Sequence, residues 1–185
     1  PETPQHLVRI TKPFFISSCE ITQQQFEKVM ASKPWAGQPL VREGANYAAT
    51  YVTWDDATEF CRKLSEQESE VYRLPTEAEW EYVCRAETTT SWNFGDDRDQ
   101  LAEYAWFDAN AYKDDEQYPH IVGQKLPNAW GLFDMHGNVW EWCSDWYGRY
   151  GKTKKETIDP TGPEKGRQHV WRGGSFSEAS RNCRS

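Results

Sequence analysis

Three segments of the chain place apolar side chains at helical spacing, and a threonine precedes each of them. The apolar stripes consist of Phe26, Val29 and Met30; Trp54, Ala57, Cys61 and Leu64; and Trp80, Val83 and Cys84. Thr22 and Thr76 are followed three residues later by Gln25 and Glu79, which is the pattern of a capping box. A threonine hydroxyl in this position accepts a hydrogen bond from an orphan amide of the first turn. The pattern therefore predicts helices that begin after Thr22, Thr53 and Thr76.

Shorter apolar runs predict strands. They are residues 7–10 (LVRI), 14–16 (FFI) and 170–172 (VWR), the last followed by two glycines. From about residue 86 to residue 130 the chain is rich in Asp, Asn, Gly and Tyr and has little period of either kind. Such long irregular segments are uncommon unless they are functional or held by other means, such as a cation, buried tryptophans or a disulfide. We therefore expect an α+β fold with a few helices, short strands and long loops.

Composition favours one domain whose core is built from few, large side chains. Hydrophobic residues are only 37% of the 185, but aromatic residues reach 15% and include ten tryptophans. Single cores commonly extend to about 250 residues, so we predict one domain over residues 1–185. The net charge of −8 opposes binding to nucleic acid or to an anionic membrane surface. No apolar run approaches the roughly 20 residues of a membrane helix, so we expect no membrane span.

The five cysteines do not form a recognisable metal or redox motif. They are Cys19, Cys61, Cys84, Cys143 and Cys183, and no two of them are in a Cys-x-x-Cys arrangement. The odd number leaves at least one thiol without a partner in the chain. Their spacing does not choose between free thiols and disulfides.

Three longer motifs carry a resemblance to a known family. They are residues 72–82 (YRLPTEAEWEY), residues 127–142 (PNAWGLFDMHGNVWEW), and residues 172–176 (RGGSF) with residues 183–185 (CRS). Residues 15–25 and 52–57 also fit the family pattern. Together, in this order and over almost the whole chain, the motifs resemble the formylglycine-generating enzymes, the sulfatase-modifying factor family. Such a set is far more specific than any single short motif.

The resemblance implies a fold related to C-type lectins, with little regular secondary structure and often with bound calcium. The family continues after the segment that matches Cys183 with arginine-rich and aromatic chain ending in Gly-Phe-Arg. We therefore expect residues 1–185 to lack that C-terminal segment. In the enzymes, cysteines that match Cys61 and Cys84 pair with cysteines in the same segment, so the resemblance implies no internal partner for them here.

The resemblance also implies a calcium loop. Carried over by position, its ligands would be the carboxylates of Asp134 and Glu141 and the backbone carbonyls of Gly137 and Val139. The enzymes have asparagine where Asp134 stands, and aspartate is an equal or better oxygen donor for calcium. We predict structural calcium at this loop; the alternative is that Glu141 makes ordinary hydrogen bonds beneath the tryptophans.

At the catalytic position the chain departs from the enzymes. They oxidise a substrate cysteine with molecular oxygen, using copper(I) held between two cysteines. The second of these matches Cys183 and the first matches Glu178, while Ser175 matches a serine that lines the enzymes' active pocket. Soft thiolates suit copper(I), and a carboxylate is a hard ligand. Cys183 and Ser175 are therefore the candidate catalytic residues, but we favour a buried structural role for Cys183.

Two hypotheses from different classes follow. The favoured one is a calcium-stabilised, non-catalytic module that binds a protein or peptide ligand. The alternative is a copper-dependent oxidase that converts a sulfatase cysteine, in a Cys-x-Pro-x-Arg context, into formylglycine. An iron-dependent sulfoxide synthase of the ergothioneine type is disfavoured, because such enzymes take their iron-binding histidines from an additional helical domain. We interpret His136 as structural and Trp140, Trp142 and Trp146 as core residues rather than a stacking platform for a ligand.

Overall fold

The structure is a computed structural model that describes residues 5–112, 116–151 and 155–185. Helices and strands alternate with long irregular stretches. The helices are α1 (Gln23–Met30), α2 (Trp54–Glu68), α3 (Glu77–Arg85), α4 (Leu101–Tyr104) and α5 (Asp108–Ala111), with single 3-10 turns at Arg98–Gln100 and Ser180–Asn182. The strands are β1 (Val8–Arg9), β2 (Glu141–Trp146), β3 (Thr157–Ile158) and β4 (His169–Arg172).

The three long helices begin where the sequence predicts. Thr22, Thr53 and Thr76 are N-caps, and each hydroxyl accepts a hydrogen bond from the backbone amide three residues later. The reciprocal half of each capping box is also present, because the side chains of Gln25, Asp56 and Glu79 accept from the backbone N–H of the cap. Each helix ends in a left-handed residue, so both ends are fixed by local chemistry.

The strands form two separate pairs. β2 and β4 are antiparallel, with Glu141 opposite Arg172 and Trp142 opposite Trp171, and the register shifts before Trp146 meets His169. β1 and β3 are parallel and join the beginning of the described chain to its last third. α3 packs against both β2 and β4. The β2–β4 pair and α3 therefore form the structural centre around which the loops are arranged.

Two sequence predictions about strands need correction. Residues 14–16 form no strand. Phe14 and Ile16 pack on the core while Phe15 is fully exposed. The side chains therefore alternate between core and solvent as in a strand, but no described strand pairs with this segment. The longest strand, β2, was not predicted, because its first two residues belong to the end of the 127–142 motif and its six residues show no clear alternation of apolar and polar side chains. The described residues between 86 and 130 are largely irregular, as expected, although α4 and α5 lie among them.

The core consists of three clusters rich in aromatic side chains. The first lies between α3 and the β2–β4 pair, the second under the irregular segment, and the third between α1 and α2. Their buried members are Trp80, Val83, Cys84, Leu132, Met135, Cys143 and Val170; Trp92, Leu101, Ala105, Phe107 and Cys183; and Phe26, Trp35 and Phe60.

The irregular segment is held in place by side chains rather than by regular structure. Asn128 donates to the carbonyl of Val83 at 2.7 Å and accepts from the amides of Trp130 and Leu132, which fixes the turn before the loop. The indole N–H of Trp92 donates to the carbonyl of Cys183 at 2.6 Å. All five cysteines are free thiols, so disulfides have no part in this. Among the helices described, none is both long and apolar enough to cross a membrane.

Candidate functional site

The loop from residue 134 to residue 141 crosses the middle of the fold and is almost wholly buried. Its backbone is left-handed at Asp134 (φ 56°), Gly137 (φ 90°) and Asn138 (φ 53°). The Gly137 amide donates to the Gly173 carbonyl at 2.7 Å, and the Asn138 amide donates to the Trp106 carbonyl at 2.8 Å. A Cβ on Gly137 would lie 2.1 Å from the Trp106 carbonyl oxygen, so only glycine fits this close approach.

Three carboxylates meet at this loop. Asp134 is 1% exposed, Glu20 is 8% exposed, and Glu141 is half-buried and near enough for the charge of Asp134 to act on it. The Gly123 amide donates to Asp134 Oδ2 at 2.6 Å, and the Asn138 side-chain amide donates to Glu20 Oε1 at 3.0 Å. The other oxygens, Asp134 Oδ1 and Glu20 Oε2, have no hydrogen-bond partner among the described residues. Buried carboxylate oxygens without partners are costly, and a cation would satisfy them.

The electrostatics of the three groups agree with an uncompensated negative charge. Burial raises the pKa of Glu141 to about 7, and the charge of Asp134 raises it as well. Burial also raises the pKa values of Glu20 and Asp134 above their ordinary values. Lys125 is the cation that acts on Asp134, but its ammonium donates to the Ala102 carbonyl at 2.7 Å and lies over the Trp106 ring. The cluster therefore favours a bound positive charge.

The donors fit a calcium ion better than a transition metal. Asp134 and Glu141 supply anionic oxygens, and the carbonyls of Gly137 and Val139 accept no hydrogen bond from any described residue. No group of three or more His, Cys, Asp or Glu side chains in the described ranges is arranged to hold a metal ion. The predicted set needs only two acidic side chains, because backbone carbonyls complete a calcium site.

Cys183, Ser175 and Glu178 lie on one tight turn after β4. The thiol of Cys183 is fully buried, with its sulfur 4.0 Å from the Ser175 carbonyl oxygen. A Cβ on Gly174 would lie 2.7 Å from that sulfur, so the thiol packs directly on the glycine backbone. Burial raises the pKa of Cys183 to about 12, and Glu178 raises it further. The structure brings the two candidate residues together but keeps the thiol protonated and enclosed.

Glu178 makes local contacts. Its carboxylate accepts a hydrogen bond from the Asn182 side chain at 2.7 Å, and its backbone amide donates to the Ser175 carbonyl at 3.0 Å. The hydroxyl of Ser175, itself buried, lies 3.1 Å from the hydroxyl of Ser177. This turn therefore offers one sulfur and hard oxygen atoms.

An open cavity of about 440 Å³ borders the β2–β4 pair. Trp140, Trp142 and Trp171 line it; Trp171 stacks on Trp140 at a centroid distance of 5.6 Å and lies tilted against Trp142 at 5.3 Å. Trp171 is 53% exposed, and Arg181 and Arg184 lie at the rim. Trp140 and Trp142 are thus half-buried walls of a cavity rather than members of the three buried clusters.

The two remaining residues that the sequence analysis singled out are Trp146 and His136. Trp146 is half-buried and, with Trp54, sandwiches the His169 ring at centroid distances of 3.6 and 3.7 Å. His136 is 1% exposed, and its Nε2 accepts a hydrogen bond from the Asn93 amide at 3.3 Å. Burial lowers the pKa of His136 to about 3, so the ring is neutral. This environment agrees with a structural histidine.

Sequence reasoning missed two features of the site. Glu20 was counted only as part of a motif before α1, although it reaches the loop. In the sequence, Glu20 is a single acidic residue next to an apolar run, and this pattern does not show whether its side chain is buried. The aromatic cavity was missed because the partner of Trp140 and Trp142 is Trp171, about thirty residues further along the chain.

Comparison with known proteins shows which family the chain resembles in sequence and fold. The model of the sulfatase-modifying factor enzyme 1-like domain matches residues 1–185. The formylglycine-generating enzyme of Streptomyces coelicolor is 35% identical over 146 residues, covering 71% of this chain and 42% of the enzyme. The structure of Treponema denticola variable protein 1 aligns with a TM-score of 0.78 at 28% identity, covering 89% of this chain and 74% of that one.

A further solved structure, PvdO from Pseudomonas aeruginosa, aligns with a TM-score of 0.74 at 27% identity and covers 91% of this chain and 70% of that one. The chain spans less than half the length of the formylglycine-generating enzymes from Streptomyces coelicolor and Bos taurus, 42% and 46% respectively. The family match over the full sequence, the related enzymes and these structural neighbours lead to one conclusion. The chain belongs to the formylglycine-generating enzyme family and has the fold of its sulfatase-modifying factor enzyme 1-like domain.

Proposed function

We propose that this chain is a non-catalytic member of the family, a calcium-stabilised module that binds a protein or peptide ligand. The observation that carries the proposal is the turn after β4. It offers the buried thiol of Cys183, with a carboxylate, Glu178, at the position that matches the first copper cysteine. Because fold alone does not fix function, the proposal is supported by the chemistry of this turn rather than by the fold.

The residues of this turn do not fit copper(I). A cuprous ion needs two soft sulfur ligands, and Glu178 offers a hard oxygen that is already hydrogen-bonded to Asn182. The Cys183 thiol, with a pKa of about 12, is protonated at neutral pH and enclosed by the Gly174 backbone. We therefore assign Cys183 to packing in the second cluster and Ser175 to the turn that covers it.

Incubation of the protein with copper(I), oxygen and a Cys-x-Pro-x-Arg peptide is expected to yield no aldehyde. Mass spectrometry of the peptide is the measurement, and the formylglycine-generating enzyme of Streptomyces coelicolor is the positive control. Aldehyde formation by the unmodified protein, lost in Cys183→Ala, would favour the oxidase instead. Glu178→Cys tests the cause, since a second sulfur is expected to increase copper(I) affinity.

Calcium has a structural role in this proposal. Asp134, Glu141 and the carbonyls of Gly137 and Val139 would hold the ion, which supplies the positive charge that the buried carboxylates lack. Support comes from the unpartnered Oδ1 of Asp134 and from the raised pKa of Glu141. The ion would stabilise the loop that positions β2, and through β2 the aromatic cavity.

The cavity beside β4 is the proposed ligand site. Within the described chain, β4 pairs only with β2, so its other edge offers unpaired backbone groups to an extended peptide. Trp171 and its stacked neighbours offer apolar area, and Arg181 and Arg184 place positive charge at the rim of a protein whose net charge is −8. We therefore propose an extended peptide segment with acidic side chains as the ligand.

Trp171→Ala is expected to weaken peptide binding by at least about tenfold, because an exposed tryptophan in a cavity is a typical anchor. The probe is a peptide enriched from a random library on the unmodified protein, with affinity measured by fluorescence polarisation. Trp130→Ala is the matched control, since Trp130 is 37% exposed and does not line the cavity. Equal affinity for both variants would place the binding site elsewhere.

A further inference from the structure

The ring of His169, the first residue of β4, is held in one position on the wall of the aromatic cavity. It lies between two indole rings, with centroid distances of 3.7 Å to Trp54 and 3.6 Å to Trp146. Its Nδ1 lies 3.2 Å from the Asp145 carbonyl oxygen. A carbonyl oxygen can only accept a hydrogen bond, so Nδ1 carries a proton and donates it. Stacking on both faces and a hydrogen bond at one edge leave the ring little freedom to turn.

The other ring nitrogen of His169, Nε2, is available to a ligand. His169 lines the cavity and is half-buried. Its Nε2 has no hydrogen-bond partner among the described residues and is not enclosed by them. With Nδ1 protonated, the neutral ring presents a lone pair at Nε2, whereas the protonated ring presents an N–H there. Protonation therefore changes what this nitrogen binds without any movement of the ring.

The surroundings of His169 accommodate a positive charge. A cation over the face of a tryptophan is attracted by the ring, and His169 has such a face on both sides. The hydrogen bond to the Asp145 carbonyl persists in both forms, because Nδ1 keeps its proton. Histidine side chains change their charge between about pH 5 and 8. The ring can thus become cationic in mild acid with all its contacts kept.

Two elements packed against the His169 ring carry acidic side chains, and both leave Nε2 open. The start of α2 carries Asp55, which is exposed, and Asp56, whose carboxylate belongs to the capping box of that helix. On β2, the Asp145 carboxylate accepts from the Glu77 amide at 2.9 Å and so points towards α3. These carboxylates favour a positive charge nearby without occupying Nε2.

The rest of the cavity is lined by titratable side chains of both signs. They are Glu77, Tyr147, Tyr150, Arg172, Arg181 and Arg184. Glu77 accepts from the Tyr150 hydroxyl at 2.8 Å and lies 2.9 Å from the Arg172 guanidinium, so its charge is offset. The two arginines at the rim then give the cavity positive charge that suits an acidic ligand, and a proton on His169 adds to it.

We propose that His169 recognises an acidic side chain of the peptide ligand through a protonated Nε2, so that the cavity binds this ligand more tightly in mild acid. The inference rests on the proposed function, which supplies the ligand class and the cavity. It adds the residue that reads the acidic group and the condition under which it does so.

The sign of the pH dependence follows from the charges. When His169 is protonated, Nε2–H donates to a ligand carboxylate; when the ring is neutral, a lone pair faces that carboxylate and the attraction is lost. Aspartate and glutamate side chains of a peptide remain charged above about pH 5. Affinity should therefore fall as the pH rises from about 5.5 to about 8.

Two other groups would give a pH dependence of the same sign. Burial raises the pKa of Glu77, and its protonation would remove a negative charge from the cavity. His6, whose ring lies 4.9 Å from that of Tyr150, would add a positive charge beside the cavity. Glu77→Gln and His6→Phe isolate these two groups. His6→Phe is also the matched control for His169→Phe, because the same replacement is made at a histidine next to the same cavity.

The probes are an acidic peptide enriched from a random library on the unmodified protein and its counterpart with asparagine and glutamine in place of every aspartate and glutamate. Fluorescence polarisation gives the affinities at about pH 5.5 and about pH 8. We expect the unmodified protein, His6→Phe and Glu77→Gln to bind the acidic peptide on the order of fivefold more tightly at the lower pH. His169→Phe keeps a ring in the stack and should lose this difference, and the uncharged peptide should show none.

Nitrogen NMR of the imidazole rings gives a second measurement. In the free protein at the higher pH, the neutral ring of His169 should carry its proton on Nδ1, as the hydrogen bond to Asp145 requires. Addition of the acidic peptide at the lower pH should shift the Nε2 signal of His169. An unchanged Nε2 signal during saturable binding would contradict the inference.

The outcomes separate this inference from the proposed function. If no acidic peptide binds, or if binding does not depend on Trp171, the proposed ligand site is wrong and the inference falls with it. If binding depends on Trp171 but His169→Phe keeps the pH dependence, the cavity stands and His169 is not the recognising residue. An equal loss of affinity at both pH values in His169→Phe would mean that the ring acts only through stacking, which also contradicts the inference.

Discussion

Gly137→Ala is expected to destabilise the fold by roughly 3–5 kcal/mol, from a left-handed backbone and a steric clash together. The backbone at Gly137 has φ of 90°, and an added Cβ would meet the Trp106 carbonyl oxygen at 2.1 Å. Neither the Trp106 carbonyl nor the Gly137 backbone can shift easily. The Asn138 amide donates a hydrogen bond to that carbonyl, and the Gly137 amide donates one to the Gly173 carbonyl. Urea denaturation of the variant measures the loss.

Gly131→Ala is the matched control for backbone strain alone. Gly131 has φ of 81°, but an added Cβ would meet nothing within 4 Å. We expect a loss of only about 1 kcal/mol, because the left-handed conformation is the sole cost. Similar losses for the two variants would contradict the close approach of Gly137 to Trp106.

Arg172→Ala is expected to destabilise the protein by roughly 3–5 kcal/mol, since it removes a buried guanidinium from two half-buried carboxylates. Arg172 is 6% exposed, and its guanidinium lies 2.9 Å from the Glu77 carboxylate and 3.2 Å from that of Glu81. Burial raises the pKa of Glu77, and Arg172 opposes that shift. Removal of the arginine therefore leaves the half-buried Glu77 carboxylate with the Tyr150 hydroxyl at 2.8 Å but without its cation, and chemical denaturation measures the loss.

Two comparisons isolate the effect of burial at Arg172. Arg62 also has two carboxylate partners, Glu59 and Glu66, but all three side chains are exposed, so Arg62→Ala should change the denaturation midpoint little. The double variant Arg172→Met with Glu77→Gln should lose less stability than Arg172→Ala, because no charge remains buried alone. A double variant as unstable as the single one would mean that Arg172 acts through packing instead.

The parts of the fold that depend on neighbouring residues could be predicted from the sequence. The helices begin at Thr22, Thr53 and Thr76 because a hydroxyl and an acceptor three residues later satisfy the first amides, and this chemistry needs no tertiary contact. Strand pairing could not be predicted in the same way. Residues 14–16 have a strand-like composition, but only the folded chain shows that no partner lies beside them.

Only the part of the candidate site that lies in one continuous segment of the chain could be predicted from the sequence. The resemblance supplied Asp134 to Glu141 as one continuous loop, which stays a predicted calcium site; in the structure Asp134 is buried and its Oδ1 has no partner among the described residues. Glu20 and Trp171 enter the site from distant parts of the chain, through burial and ring stacking. Contacts of this kind depend on the packing of the whole domain, so they could not be predicted from residue type or spacing.

The parallel pair of β1 and β3 has a consequence for the order of folding. Thr11 donates to Asp159 next to this pair, and the two residues are 148 positions apart in the chain. Contacts across so large a separation are slow to form, and two residues per strand bury little surface. The β1–β3 pair should therefore form last during refolding. In native-state hydrogen exchange it should open first, well before the amides of α3 lose protection.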